Sequence, residues 1–344
     1  MTDSHAAEAA LDELLSRPLP AEIEAMRRLE GDILILGVSG KMGPSLARLA
    51  RRASEEAGRQ REIFGVARFA DPAAREALEQ NGIGTIPCDL TDPIAVANLP
   101  EVENVILMAG QKFGTNARHI ATWATNVLVP ATVAYRFRTS RIVAFSTGNV
   151  YPLWPVNRPG PTEDDMTGPV GEYAMSALGR ERILEHHSRR HGTPMAILRL
   201  NYAVELRYGV LRDIADRVVT GQPIVLRMGY VNVIWQRDAN AVALRALEHA
   251  TSPPLTLNVT GIDRLRVRDL ARRFADRFGV TPHLEDRERA TALLSDATKC
   301  HELFGPASVS PDDMIEWVAE WVRIGGRSLG RPTHFEEREG HFER

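Results

Sequence analysis

A chain of 344 residues, 44% apolar and 25% charged, has the composition of an ordinary globular protein, long enough for one main domain with a smaller lobe. Its net charge of −3 gives no field favouring nucleic acid or an anionic membrane, and no apolar run approaches the roughly 20 residues that span a bilayer. The only cysteines, Cys88 and Cys300, exclude a disulfide framework and a cysteine-rich zinc site; with no apolar signal core near the start, a reducing cytoplasm is the expected location.

Residues 1–30 read as an N-terminal helical extension. Ala6–Leu15 suits one amphipathic helix and Ala21–Leu29 a second, with Pro18 and Pro20 between them. Residues 31–200 read as a dinucleotide-binding domain. The apolar run Ile33–Leu36 predicts a strand buried on both faces. It breaks at Gly37, and a helical pattern (Met42, Leu46, Leu49, Ala50) follows, with Pro44 in its first turn. Gly37, Gly40 and Gly43 fall between them as G-x-x-G-x-x-G. One glycine allows the tight turn, one lets a pyrophosphate approach bare backbone, and one lets the helix pack close to the strand. Gly37, Ser39, Gly40, Lys41, Met42 and Gly43 are therefore candidate cofactor-binding residues.

A helix to about Ala57 leads to a second strand, Glu62–Arg68. At the end of such a strand a carboxylate suits the 2′-hydroxyl of NAD and an arginine the 2′-phosphate of NADP. Arg68 stands there, with Arg51 and Arg52 as candidate neighbours and Asp71 three residues on, so the cofactor is read as NADP or NAD with NADP favoured. A helix (Pro72–Asn81) and a third strand (Gly84–Pro87) end at Asp89-Leu90, where the aspartate would hold an adenine edge or cap a helix. The fourth strand, Asn104–Met108, runs into Ala109-Gly110-Gln111-Lys112, and a helix over 116–135 carries Asn126. The fifth strand, Arg141–Phe145, runs into Ser146-Thr147-Gly148-Asn149-Val150-Tyr151. This alternation predicts an α/β fold, a doubly wound, mostly parallel sheet of Rossmann type, with ligands at the strands' carboxyl ends.

A Pro- and Gly-rich loop (152–171), a long helix (Tyr173–Arg190) and a sixth strand (Met195–Leu200) complete that domain. Residues 201–325 mix short strands (Ile224–Leu226, Leu255–Val259) with helices (Leu211–Thr220, Ala239–His249, Val267–Phe278, Ser310–Ile324). They predict a smaller mixed α/β substrate lobe, interleaved with the Rossmann domain, over the sheet's carboxyl edge. The tail, 326–344, is glycine-rich and charged, and disorder is expected over a subunit-wrapping arm. His186, His187 and His191 complement a helix C-terminus, and Cys300-His301 lacks metal-site spacing, so no metal is predicted.

The order and spacing of Gly37-x-x-Gly40-x-x-Gly43, Asp89-Leu90, Ala109-Gly110-x-Lys112, Asn126, Ser146-Thr147-x-x-Val150-Tyr151, Tyr173, Leu198-Arg-Leu-Asn201 and Asp296-x-x-Lys299 resemble the extended short-chain dehydrogenase/reductases, of the NAD-dependent epimerase/dehydratase type. The resemblance covers about residues 31–325. It implies cofactor contacts from Ala109, Gly110, Lys112 and Asn126, with Lys112 as in UDP-galactose 4-epimerases. It implies Tyr173 as general acid/base, Thr147 as the hydroxyl polarising the substrate oxygen, and a homodimer. Two departures stand out. The family's Tyr-x-x-x-Lys is here Tyr173-Ala-Met-Ser-Ala177. Arg180 lies about 10 Å along the helix by rise and is not expected to substitute, which leaves Lys112. Val231 replaces the arginine that grips a sugar nucleotide's diphosphate, and Thr147-Gly148-Asn149 lacks the Asp-Glu pair of the 4,6-dehydratases. Asn149, Asn201, Trp235 and Gln236 are then the candidates for holding a smaller, sugar-like substrate. The expected activity is hydride transfer at a secondary alcohol or ketone carbon. The missing lysine keeps open a catalytically weak or inactive NAD(P)-binding sensor or scaffold.

Overall fold

The computed structural model describes residues 2–114 and 118–342. Its centre is a seven-stranded parallel sheet: β1 (Ile33–Leu36), β2 (Ile63–Ala67), β3 (Gly84–Pro87), β4 (Asn104–Leu107), β5 (Arg141–Thr147), β6 (Met195–Leu200) and β7 (Leu255–Val259). The spatial order is β3-β2-β1-β4-β5-β6-β7. The chain reverses direction across the sheet between β1 and β4, which opens a crevice at their carboxyl ends. The expected location of Leu255–Val259 in the smaller lobe is corrected. It extends the main sheet, in register with β6 from Leu255 opposite Ala196 to Val259 opposite Leu200. Leu257 and Val259 complete the apolar layer below the sheet, while Asn258 between them donates to the carbonyls of Pro161 and Asp296.

The helices are α1 (Thr2–Ser16), α2 (Pro20–Arg28), α3 (Gly43–Glu56), α4 (Pro72–Glu79), α5 (Pro93–Ala97), α6 (His119–Trp123) and α7 (Val129–Arg136). After them come α8 (Gly171–His191), α9 (Val210–Val219), α10 (Gln236–Arg245), α11 (Val267–Phe278), α12 (Thr298–Phe304) and α13 (Pro311–Arg323). Period-2 alternation divides the strands between two cores. Ile33, Ile35, Ile106 and Val143 pack on α2, α3 and α10, whereas Leu34, Leu36, Val105 and Leu107 pack on α5, α7 and α8. A further core joins α9, α11 and α13 to Leu11 and Leu15 of α1.

The helix expected over 116–135 differs in two ways. Its first two residues, Asn116 and Ala117, lie outside the described residues, and the rest is interrupted by a π-helical turn, Ala124–Leu128, between α6 and α7. Pro130 explains the break: it has no N–H to offer the carbonyl of Asn126 four residues earlier, while the Val129 N–H reaches back to Ala124.

The expected tail disorder is also corrected. Thr333, Phe335 and Phe342 are 3%, 1% and 5% exposed, and residues 333–342 run from Asp213 on α9 to Tyr173 on α8. The tail carries its own apolar anchors, and these override its glycine-rich composition. No helix among the described residues is long and apolar enough to cross a membrane.

Candidate active site

The turn after β1 needs its glycines. Gly37 has φ +90°, and a Cβ there would come within 2.7 Å of the Ala109 nitrogen; at Gly43 it would come within 2.1 Å of the Val38 carbonyl oxygen. The turn therefore runs tightly into α3, and Gly37, Gly40, Lys41, Met42 and Gly43 line a cavity of about 320 Å³. Bare backbone at a helix N-terminus fits a pyrophosphate. Ser39 is exposed on the same turn, and Ala109 follows β4 beside it.

On the far side of β1, Arg68 is exposed just beyond β2. Asp89 accepts from the Thr91 hydroxyl (2.7 Å) and N–H (2.9 Å), and these bonds, with the charge of Arg68, hold its carboxyl below the usual range. Leu90 is buried beneath the sheet. Arg51 and Arg52 are committed elsewhere, to the Arg61 carbonyl and to Glu13. Asp71 caps α4 through the Ala73 N–H.

The cavity's other wall holds Thr147, Asn149, Tyr173, Arg180 and Asn201. Thr147 Oγ1 accepts from the Asn149 N–H (3.2 Å) and Nδ2 (3.0 Å). With both lone pairs engaged, its proton is the one group left for donation, and the Tyr173 hydroxyl beside it is the acceptor at hand. Burial pushes that hydroxyl above the ordinary phenol range, while the Thr147 bond and the charge of Arg180 pull it back.

The Arg180 side chain comes nearer the cavity than helix rise alone suggests. Helical side chains lean toward the helix N-terminus, and this one reaches back past Ala177, which packs on Val150 and Tyr151 and leaves the path open. Its Nη1 donates to the Phe145 carbonyl (2.6 Å), Nη2 to Asn126 Oδ1 (2.8 Å) and Nε to the Asn126 carbonyl (3.3 Å), the one Pro130 leaves free. A Cβ at Gly110 would lie 2.8 Å from Nη2, so the guanidinium needs a glycine there. Asn126 faces this assembly, not the cavity: it also exchanges hydrogen bonds with Gln111 (2.9 and 3.0 Å) and donates to Ser176 (2.9 Å).

Lys112 and Lys41 both line the cavity. Lys112 Nζ donates to the Thr333 carbonyl (3.3 Å) and lies 4.7 Å from the Phe342 ring. Lys41 Nζ donates to the Ala203 carbonyl (3.0 Å) and sits 4.1 Å over the Tyr208 ring. Burial lowers both ammonium pKa values to about 8.

Of the four candidate substrate residues, Asn149 and Asn201 line the cavity and the other two do not. Trp235 is fully buried in the second core, edge-on to Trp317 at 5.4 Å. Gln236 opens α10 and donates to Ser45 on α3 (3.1 Å). Both are packing residues, Trp235 in that core and Gln236 against α3. The sequence reading missed Tyr202, Tyr208 and Thr333, which also line the cavity. The φ of +43° at Tyr202 has no sequence signature, whereas aromatic residues spaced through a polar tail were a usable signal for the strap that brings Thr333. Among the described residues no group of three or more His, Cys, Asp or Glu is placed to hold a metal ion.

The fold and the loop define a dinucleotide-binding protein. The profile of the NAD dependent epimerase/dehydratase family matches residues 33–259, and the chain belongs to that family. UDP-glucose 4-epimerase from Thermotoga maritima, solved with UDP-glucose, is 18% identical over 86% of this chain and 99% of its own, with a TM-score of 0.70. The dTDP-glucose 4,6-dehydratase from Streptomyces venezuelae, solved with NAD, is 17% identical over 85% and 97%, with a TM-score of 0.72. UDP-glucuronic acid 4-epimerase from Bacillus cereus, also solved with NAD, is 16% identical over 85% and 96%, with a TM-score of 0.69. At these identities the likeness is one of fold. No curated protein sequence matches the chain.

Proposed function

We propose that the protein is an NAD(P)-dependent oxidoreductase or epimerase acting at a secondary alcohol or ketone carbon of a small, sugar-like substrate. The observation that carries this reading is the meeting of Tyr173, Thr147 and Arg180 in the cavity bounded by the glycine loop. Bound oxidised nicotinamide supplies the hydride acceptor and a positive charge. Tyr173 moves the proton to or from the substrate oxygen, and Thr147 steadies that oxygen by turning to it the proton that faces Tyr173 before substrate binds. The guanidinium of Arg180 favours the phenolate when Tyr173 acts as base. The sensor or scaffold alternative rested on the missing lysine, and a cation lining the same cavity as Tyr173 weighs against it. Arg68, exposed beyond β2, favours NADP. Val231, fully buried, offers no charge to a nucleotide diphosphate. Ile120, Leu128, Tyr135 and Met175, exposed on the helices after β4 and on α8, support a homodimer.

Calorimetric titration with NAD and NADP, followed by an absorbance screen against free sugars, sugar acids, lactones and sugar nucleotides, tests this reading. Binding of one cofactor, NADP the tighter, and turnover of a sugar are expected; binding of neither contradicts it.

A further inference from the structure

We propose that residues 333–342 form a fixed wall of the substrate pocket, and that this wall confines the enzyme to small polyhydroxylated substrates carrying no nucleotide. The proposal rests on the functional reading above, since it concerns the same cavity.

The segment is fastened at both ends. At its start the Thr333 N–H and hydroxyl both donate to the Asp213 carboxylate on α9 (2.7 and 2.6 Å), and its carbonyl accepts from Lys112. Tyr202 then donates to the Phe335 carbonyl (3.4 Å), and Arg217 pairs with Glu336 (2.7 Å). Farther on, Arg338 donates to the carbonyl and hydroxyl of Thr291 (2.7 and 2.6 Å). At the end Gly340 meets Gly171 backbone to backbone: a Cβ on either glycine would come within 2.7 Å of the other's Cα. The Phe342 carbonyl accepts from the Gly114 N–H (2.8 Å), and its ring stands edge-on to Tyr173 at 5.6 Å. The strap thus runs from α9 to Tyr173: Thr333 lines the cavity itself, and Phe342 backs Tyr173 from outside that lining.

With the strap seated, the cavity of about 320 Å³ lies near the small end of the range for ligand pockets, roughly 300–1,000 Å³. It has to admit the reactive end of the cofactor together with the substrate. A nucleoside diphosphate joined to the reacting sugar would exceed the volume left beside the cofactor. The polar groups of the remaining wall suit hydroxyls. Asn201 is 2% exposed, and its Nδ2 finds no hydrogen-bond partner among the described residues, so a ligand oxygen would satisfy it.

Hydrogen exchange on the full chain, with and without NADP, tests the wall. Amides of 333–342 are expected to exchange about 100-fold more slowly than in an unstructured peptide; exchange at the peptide rate overturns the proposal. Turnover by the full chain should be confined to free sugars, sugar acids or lactones, and UDP-glucose should neither turn over nor bind to the NADP-loaded protein. UDP-glucose turnover or binding overturns it. A chain ending at Arg331 should lose about tenfold in kcat/KM with NADP affinity within about threefold of the parent; an unchanged kcat/KM overturns it. If that chain does not fold, Phe342→Ala should raise substrate KM about threefold at unchanged cofactor affinity, and an unchanged KM overturns it. If the full chain turns over no sugar at all, the functional reading fails, while exchange and the UDP-glucose titration still decide the wall.

Discussion

A phenol desolvated by protein needs a neighbouring positive charge before it serves as a base near neutral pH. At Tyr173 the proposed source of that charge is Arg180, whose three hydrogen bonds to Phe145 and Asn126 fix where it stands. Removing it raises the tyrosine's pKa further. Arg180→Met should therefore move the rising limb of kcat/KM for alcohol oxidation to higher pH, with a loss of about tenfold or more at pH 7. Arg180→Lys should recover part of the shift; an unmoved pH profile would show that the guanidinium does not act on Tyr173. The hydroxyl pair Thr147 and Tyr173 was legible in the sequence as the ends of a familiar spacing. Arg180 was not, because helix rise measures Cα positions and says nothing of a long side chain reaching back over Ala177. Trp235 and Gln236 looked like pocket residues for the converse reason, since residue type alone does not tell an inward turn from an outward one.

Among the elements, the glycine turn and α3 are the proposed seat of the cofactor, and at Gly37 and Gly43 their geometry leaves no room for a methyl group. Gly43→Ala would press Cβ into the Val38 carbonyl, 2.1 Å away, and the loop would have to move off the start of α3. The expected result is at least a tenfold loss of NAD(P) affinity by calorimetry in a protein that still folds, and unchanged affinity would count against a cofactor on this loop. Continuous apolar runs bounded by glycine and polar residues made β1, β4 and β6 legible nearly to the residue. The π-helical turn was harder to read. Pro130 signals a disturbed helix, yet only the partner of the freed Asn126 carbonyl, Arg180 on α8, shows what the disturbance is for. Leu255–Val259 was misplaced because its alternating apolar pattern suits a sheet edge as well as a short strand of another lobe.

Across the whole molecule, a doubly wound sheet and a second core of α1, α9, α11 and α13 face each other over one cavity, and the C-terminal strap joins them. The tail's composition suggested disorder because average polarity hides Phe335 and Phe342, the two residues that anchor it. Lys41 and Lys112 enter the cavity from the glycine loop and the β4 turn, each pushed down to about 8 by burial. Both ammonium groups are largely charged below that pH and lose charge above it. An anionic diphosphate favours the charged forms, so cofactor affinity should fall as pH rises through about 8, and binding there should draw protons from the buffer. Calorimetry in two buffers of different ionisation enthalpy checks this; equal heats would place the lysines away from the cofactor.

The central claim, that Tyr173 moves the proton in a cofactor-dependent reaction, is tested most directly by Tyr173→Phe. Cofactor titration and turnover should be measured on the same preparation, with the best sugar substrate of the parent. The account predicts cofactor affinity within about twofold of the parent and a kcat lowered by about 10²–10⁴. Undiminished turnover with the phenol removed would contradict it.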